Sequence, residues 1–205
     1  MGKVGKFHVK HVRDVYPDAA AALEKYAWWL ETAGVTRGLI GPREASRIWD
    51  RHIANCAALE ELIPHGSTVC DVGSGAGLPG IVLAIVRPDL EVTLVEPLQR
   101  RCEFLQEVAA DLDLPMTVFR GRAQDLSGEL FDVVTARAVA PLAKLLDWTK
   151  PLVKPNGQIL AMKGQSAQGE IAQAGTALAK AHASIVLCGQ SFVEPATTVV
   201  LVQFS

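Results

Sequence analysis

The sequence predicts an α/β protein built on a mostly parallel sheet. The first observation is an apolar run at residues 68–72 that leads through a glycine-rich loop into a second apolar run at residues 81–86. The second is that short apolar strands continue to alternate with helical segments along the chain, which is typical of a parallel sheet covered by helices. The third is the link between the last two strands, 184–188 and 197–204, which is too short for a crossover helix. These two strands are therefore predicted to pair as an antiparallel hairpin.

The strand pattern predicts seven strands in all. The remaining five are expected at residues 68–72, 90–96, 117–120, 131–135 and 158–162, with a helix at 167–183 before the hairpin. Helical periodicity at residues 17–34 and 43–55 predicts two helices ahead of the first strand. We therefore expect an N-terminal helical extension, residues 1–66, packed on a domain formed by residues 67–205, the whole being one compact domain.

Composition restricts the class of protein. The chain has 205 residues, 49% of them hydrophobic and 20% charged, which suits one well-buried domain. No apolar run approaches the roughly 20 residues of a membrane span, and residues 1–13 lack the apolar centre of a signal peptide. The four cysteines are scattered without metal-ligand spacing, as expected of buried thiols in the cytoplasm. Nothing in the sequence requires more than a monomer.

The glycine loop predicts a nucleotide-type ligand, and two cofactors fit it. Gly75, Gly77 and Gly80 match the spacing of the dinucleotide fingerprint. Asp71, followed by glycines at 73, 75 and 77, matches instead the loop of class I methyltransferases, which bind S-adenosylmethionine. An acid at the end of the first strand suits the sulfonium and the amino-acid tail of that ligand.

Later segments favour S-adenosylmethionine over a dinucleotide. Glu96 ends the second strand about 20 residues after the loop, where an acid holds ribose hydroxyls. Gln124 or Asp125 is placed to accept hydrogens from an adenine amino group. The C-terminal hairpin stands where a dehydrogenase would have its second mononucleotide half. The predicted fold is therefore the class I methyltransferase (Rossmann-like) type, a seven-stranded sheet with a C-terminal antiparallel hairpin and the N-terminal helical extension.

Several motifs together resemble one family, the bacterial small-subunit ribosomal RNA guanine-N7 methyltransferases, also called glucose-inhibited division protein B, in their actinobacterial form. The resemblance covers most of residues 40–175 and is carried by residues 71–81, 100–105, 131–138 and 162–164 and by the Arg51-His52 pair. The chain departs from the common family pattern in having Asn55-Cys56, Glu96 and Ala123-Gln124.

The resemblance implies transfer of a methyl group from S-adenosylmethionine to N7 of a guanine in ribosomal RNA. It implies a cofactor site formed by Asp71, Gly73, Gly75, Gly77, Leu78, Glu96, Ala123, Gln124 and Arg137. RNA contacts are expected from Arg51, His52, Arg122 and Lys163, and catalytic roles from Arg137 and Lys163.

This reaction needs no general base, because guanine N7 has a free lone pair and loses no proton; placement should supply most of the rate. The chain lacks the Asn/Asp-Pro-Pro-aromatic motif of amino-group methyltransferases and the Pro-Cys nucleophile of cytosine-C5 enzymes. A small-molecule methyltransferase and a catalytically silent RNA-binding module remain the alternatives. A metal site is not expected, because Asp71, Glu96 and Asp132 end or begin different strands.

The net charge of −2 means that RNA binding requires a local patch. The hypothesis is that Arg51, Arg122, Arg137 and Lys163 form such a patch along the active-site edge. For any one of them, an ordinary ion pair at the surface is an equal alternative. The basic residues within 1–13 are more typical of a solvated terminus than of a phosphate-binding arm.

Overall fold

A computed structural model of the chain describes residue 12 and residues 14–126 and 128–204, so most of the basic segment 1–13 lies outside the described residues. The seven strands form one sheet in the order β3-β2-β1-β4-β5-β7-β6. The strands are β1 (Thr68–Val72), β2 (Glu91–Glu96), β3 (Met116–Arg120), β4 (Phe131–Arg137), β5 (Val153–Met162), β6 (Ala181–Cys188) and β7 (Thr197–Phe204).

The direction of the strands confirms the predicted architecture. Strands β1 to β5 pair in parallel. Strand β7 runs antiparallel to both β5 and β6 and forms the C-terminal hairpin. Because the first five strands are parallel, their carboxyl ends meet at one edge of the sheet, where ligands bind in open α/β folds.

The α-helices cover both faces of the sheet. They are α1 (Ala20–Trp29), α2 (Ala54–Ala57), α3 (Gly80–Val86), α4 (Gln99–Asp111), α5 (Leu142–Thr149) and α6 (Ala167–Ala174). The prediction of one helix over residues 167–183 is wrong at its end. Gly175 leaves helical geometry at φ +47°, and β6 begins at Ala181, paired with Phe204 of β7. Pairing along the whole of β7 outweighs the helical preference of these small residues.

The helical segments before β1 are less regular than expected. Helix α1 continues through a π-helical turn, Leu30–Gly34, and helical geometry extends to residue 36, just before a turn that contains Gly38 at φ +70°. The prediction that Gly34 ends the helix is therefore wrong. The second predicted helix consists of short pieces, with a 3-10 turn at Ala45–Arg47, a π-helical turn at Ile48–Ile53, then α2 and a 3-10 turn at Ala58–Leu62.

The N-terminal segment shares a core with the sheet. One buried apolar cluster joins Leu23, Ile53 and Leu59 to Ile81 and Phe104 on one face of the sheet. A second cluster fills the other face beneath α5 and α6. Among the described residues, no helix has the length and apolar character needed to span a bilayer.

Candidate active site

Two adjoining cavities open at the carboxyl edge of the sheet. The first, called the Glu96 cavity, has a volume of about 700 Å³. Its wall includes Gly73, Glu96, Leu98, Ala123, Gln124 and Trp148. The second, called the Lys163 cavity, has a volume of about 930 Å³, and its wall includes Arg51, Asn55, Lys163, Gln165, Glu170 and Thr197. Arg137, Ala138 and Val139 line both cavities, so the end of β4 separates them.

The glycine loop after β1 needs glycine for steric reasons. Gly73 has φ +72°, and a Cβ added there would lie 2.8 Å from Cγ2 of Val139. Gly77 has φ +96°, and its added Cβ would lie 2.3 Å from Cδ1 of Ile81. L-residues rarely adopt such positive φ values, and both sites are also too crowded for a side chain. The loop is therefore held against α3 and against the residues that follow β4.

The loop is also fixed from outside the sheet by Tyr26 of α1. This side chain is fully buried, and its hydroxyl donates a hydrogen bond of 2.8 Å to the carbonyl of Ala76. The sequence places Tyr26 on the apolar face of a helix but gives no sign of this bond. The contact joins residues that lie 50 positions apart.

Asp71 lies under the glycine loop. Its side chain is fully buried, and Oδ2 accepts a hydrogen bond of 3.0 Å from the N–H of Gly80 at the start of α3. Burial raises the pKa of this carboxyl to about 7, although the Gly80 hydrogen bond opposes the shift. Asp71 lines neither cavity; its other oxygen, Oδ1, is buried without a hydrogen-bond partner among the described residues.

Of the residues expected to bind the cofactor, five line the Glu96 cavity: Gly73, Glu96, Ala123, Gln124 and Arg137. Gly75, Gly77 and Leu78 belong to the same loop, but they do not form part of this wall. Their visible role is to shape the loop. Gly75 also donates a hydrogen bond from its N–H to the carboxylate of Glu96.

Glu96 is oriented by backbone donors. Its Oε1 accepts a hydrogen bond of 3.0 Å from the N–H of Leu98, and its Oε2 accepts one of 3.0 Å from the N–H of Gly75. Arg101 adds a longer contact, with Nη1 3.4 Å from Oε2. The carboxylate thus ties the glycine loop to the connection between β2 and α4. Sequence reasoning found Glu96 but missed Leu98 and Arg101, both of which line the same cavity.

The far wall of the Glu96 cavity contains basic and aromatic groups. Arg122, expected on the RNA-facing edge, lines this cavity rather than the Lys163 cavity. Lys144 lies over the ring of Trp148, with 5.1 Å between Nζ and the ring centroid, and both residues line the cavity. The sequence analysis missed this pair, although a Lys and a Trp four positions apart on a helix was an available signal.

Arg137 ends β4 and is held by neutral groups. Its Nη1 donates to Sγ of Cys56 at 3.3 Å, and its Nη2 makes a short contact with Nδ1 of His52. Burial raises the pKa of the Cys56 thiol. Burial and the neighbouring Arg137 charge lower the pKa of His52 to about 4, against the opposing effect of Glu44. His52 was expected to contact RNA, but it is only 6% exposed and lines neither cavity.

Lys163 follows β5 and is paired inside the molecule. Its Nζ donates to the carbonyl of Ala140 at 2.7 Å and lies 2.7 Å from Oε2 of Glu170. Burial would raise the pKa of Glu170, but the bonds from Lys163 and Ser166 outweigh it, so the pKa falls below its usual value. Arg51 is exposed and pairs with Glu44 at 3.2 Å. The Lys163 cavity therefore presents cations that are already oriented by partners.

No cluster that could hold a metal occurs within residues 14–126 and 128–204. All four cysteines are buried free thiols. The polar groups in the Glu96 cavity suit an organic ligand instead. An oriented carboxylate can accept hydrogen bonds from ribose hydroxyls, and a side-chain amide with apolar walls suits a purine ring.

A parallel sheet with a C-terminal hairpin, a glycine loop after β1 and an acid at the end of β2 define the class of S-adenosylmethionine-dependent methyltransferases. Solved structures show the same fold. A methyltransferase from Pyrococcus furiosus superposes with a TM-score of 0.59 at 15% identity, covering 74% of this chain and 81% of that one. A SAM-dependent methyltransferase from Aquifex aeolicus gives a TM-score of 0.57 at 15% identity, covering 84% and 98%.

Residues 19–195 match the family described as GidB, rRNA small subunit methyltransferase G, and the chain belongs to this family. Its relatives include a protein named ribosomal RNA small subunit methyltransferase G in Streptomyces avermitilis. That protein is 52% identical over 200 residues, covering 95% of this chain and 84% of the relative. The protein of the same name in Thermobifida fusca is 51% identical over 195 residues, covering 93% and 82%.

Proposed function

We propose that this protein transfers a methyl group from S-adenosylmethionine to N7 of a guanine in small-subunit ribosomal RNA. The observation that carries the proposal is the meeting of two cavities at Arg137, one with a cofactor-type donor set and one lined by oriented cations. The names of the relatives in the family support ribosomal RNA as the substrate.

The chain's residues in the Glu96 cavity are proposed to hold the cofactor. When bound, S-adenosylmethionine supplies a methyl group activated by its sulfonium charge. Glu96, fixed by the N–H groups of Gly75 and Leu98, retains lone pairs that accept ribose hydroxyls. Gln124 offers an amide oxygen for an adenine amino group, and the backbone of Ala123 offers an N–H.

The residues in the Lys163 cavity are proposed to hold the guanine and its phosphates. Arg137 can donate to guanine O6, which lies beside N7 on the same edge of the base. The Lys163 ammonium has three hydrogens; Ala140 and Glu170 accept two, so one is left for the substrate. Because N7 carries no proton, these groups need only position the base and pair with RNA phosphates.

We extend the proposal to the remaining properties expected from the sequence. The working form is a monomer in the cytoplasm, acting on naked ribosomal RNA or on an assembled subunit. Arg51 and Lys163 face the RNA in the Lys163 cavity, and Arg122 adds charge on the other side of Arg137.

The function is tested by mass spectrometry of small-subunit ribosomal RNA from a strain that lacks the gene. We expect one N7-methylguanosine to disappear and to return when the intact gene is restored. An unchanged set of N7-methylguanosines would overturn the proposal and favour a small-molecule substrate.

Arg137→Ala tests the role of the group shared by both cavities. We expect kcat/KM for RNA methylation to fall about 100-fold, since lost positioning has effects of this size. Affinity for S-adenosylmethionine, measured by calorimetry, should stay within about tenfold, or roughly 1.4 kcal/mol. In the intact protein, RNA binding should weaken steeply as salt is added, because each phosphate that pairs with a cationic side chain releases counterions.

The matched control for this test is Arg100→Ala. Arg100 is exposed on α4 and lines neither cavity, so its loss should leave both measurements unchanged. If Arg137→Ala instead abolished cofactor binding and left RNA affinity intact, Arg137 would belong to the cofactor site.

A further inference from the structure

We infer that Glu44 and His52 form a positioning relay that fixes the Arg137 guanidinium between the two cavities. The inference rests on the role proposed above for Arg137. It assigns to His52 a task inside the protein instead of the RNA contact expected from the sequence, and it gives Glu44 a role that the sequence did not suggest.

The relay is a continuous chain of side-chain contacts across three elements. Nε2 of His52, in the π-helical turn Ile48–Ile53, lies 3.1 Å from Oε2 of Glu44. Nδ1 of the same ring contacts Nη2 of Arg137, which stands 85 positions later in the sequence. Cys56 completes the arrangement with its sulfur 3.3 Å from Nη1 of Arg137. The N-terminal segment thus reaches the end of β4 through side chains.

The hydrogen-bonding partners of His52 determine the tautomer and the protonation state of its ring. A guanidinium has only donors, so Nδ1 must offer its lone pair to Arg137. The remaining hydrogen then lies on Nε2 and is donated to the carboxylate of Glu44. This arrangement requires a neutral imidazole in a single tautomer, which agrees with the lowered pKa of His52.

His52 is not placed to touch the substrate. The residue is 6% exposed, it lines neither cavity, and both ring nitrogens already have partners. Its neighbour Arg51 is exposed and lines the Lys163 cavity. The two neighbouring residues therefore have different roles. Arg51 faces the Lys163 cavity, whereas the buried His52 orients Arg137 from inside the protein.

Holding Arg137 matters because the arginine side chain has many rotamers in solution. A guanidinium fixed by two acceptors on one side presents its remaining donors in one direction. Loss of one acceptor should leave Arg137 in place but less well oriented. The expected damage is therefore to the rate of methylation more than to ligand affinity.

The test compares His52→Ala with His52→Asn, using small-subunit ribosomal RNA as substrate. The asparagine amide oxygen is an acceptor close to the position of Nδ1, so it keeps the bond to Arg137 while the bond to Glu44 is lost. We expect His52→Ala to lower kcat about 30-fold with KM changed less than threefold, and His52→Asn to recover at least tenfold of that loss. His65→Ala is the matched control, because that side chain is 89% exposed.

A double-mutant cycle separates positioning from general loss of structure. In an Arg137→Ala background, His52→Ala should have no further effect on kcat, because the group that it positions is gone. Losses that multiply in the double variant would overturn the relay, as would equal impairment by His52→Ala and His52→Asn.

A measurement without substrate distinguishes failure of the relay from failure of the proposed function. Nitrogen-15 spectra of the histidine rings should show His52 in the intact protein as neutral, with hydrogen on Nε2 alone, and both signals should shift in Arg137→Ala. Another tautomer, or signals unmoved by Arg137→Ala, would overturn the relay whether or not the protein methylates RNA. An intact protein with this spectrum and no RNA methylation would overturn the proposed function and leave the relay standing.

Discussion

The Glu96 cavity and the Lys163 cavity share Arg137, but they are assembled from the chain in different ways. The wall of the Glu96 cavity comes from four segments, at 72–73, 95–101, 121–124 and 137–148, which lie at or after the ends of β1, β2, β3 and β4. The wall of the Lys163 cavity draws on four separate segments, at 51–55, 137–141, 162–173 and 195–198. The first cavity is built by the ends of β1 to β4 alone, whereas the second also needs residues that precede β1 and residues at the C-terminal hairpin.

The two cavities also differ in what orients their charged groups. Glu96 is held mainly by the backbone N–H groups of Gly75 and Leu98, with a longer contact from Arg101. Lys163 is held by the side chain of Glu170, and Arg137 by His52 and Cys56. The orientation of Arg137 therefore depends on His52 and Cys56, which line neither cavity, and substitutions at those two positions should act at a distance.

Of the substitutions that should affect one ligand and spare the other, Glu96→Ala is expected to have the largest effect. The change removes charge-assisted hydrogen bonds to a bound ligand, so affinity for S-adenosylmethionine should fall by about 2 kcal/mol, or roughly 30-fold. RNA affinity should remain as in the intact protein. Calorimetry with each ligand measures both values, and Glu91→Ala at the exposed start of the same strand is the control. Equal losses for both ligands would contradict the separation of the two cavities.

Lys163→Ala should have a smaller effect, and it should impair RNA methylation and not the binding of S-adenosylmethionine. The change removes one proposed donor to the substrate together with its ion pair to Glu170, so kcat/KM for RNA should fall about tenfold, or roughly 1.4 kcal/mol. The affinity for S-adenosylmethionine should change less than threefold. Lys154→Ala is a matched control, because Lys154 lies in β5, the strand that Lys163 follows, and pairs with Asp132 away from both cavities. A loss of cofactor affinity would move Lys163 to the other site.

The smallest effect is expected from Asp132, which lines neither cavity. Burial raises the pKa of this carboxyl, but hydrogen bonds from Lys154 and Thr68 outweigh it and lower the pKa to about 2. A folded-state pKa below the unfolded value of about 3.9 contributes stability at higher pH, which is lost as the pH falls towards 2. The difference in melting temperature between the intact protein and Asp132→Asn should therefore shrink between pH 5 and pH 2. Asp147→Asn, at an exposed carboxylate, should show no such change.

Much of the sheet was predictable because its signals are local. The apolar run of β1 and the following glycines determine a strand and a tight turn without help from distant residues. The end of α1 was not predictable in this way. Gly34 looks like a helix terminator, but its carbonyl accepts hydrogen bonds from the N–H groups of Leu39 and Ile40, and the left-handed residue is Gly38.

The same distinction between local signals and long-range contacts applies to the candidate site. Glu96 and Gln124 were expected from their positions after strands and Ala123 from the family resemblance. All three line the Glu96 cavity, and their binding of the cofactor stays a prediction. The contacts of Tyr26 with Ala76 and of His52 with Arg137 join residues 50 and 85 positions apart, and no sequence motif connects them. Such contacts depend on how the irregular N-terminal helices pack against the sheet, which local propensity does not determine.

The neutral partners of Arg137 have a consequence for turnover. His52 and Cys56 orient the guanidinium without placing an opposite charge against it. A guanine is neutral before methylation at N7 and carries a positive charge afterwards. In the low dielectric of a cavity, like charges at close range repel strongly. In the role proposed for it, Arg137 would therefore both position the neutral base for methylation and favour release of the methylated, cationic product.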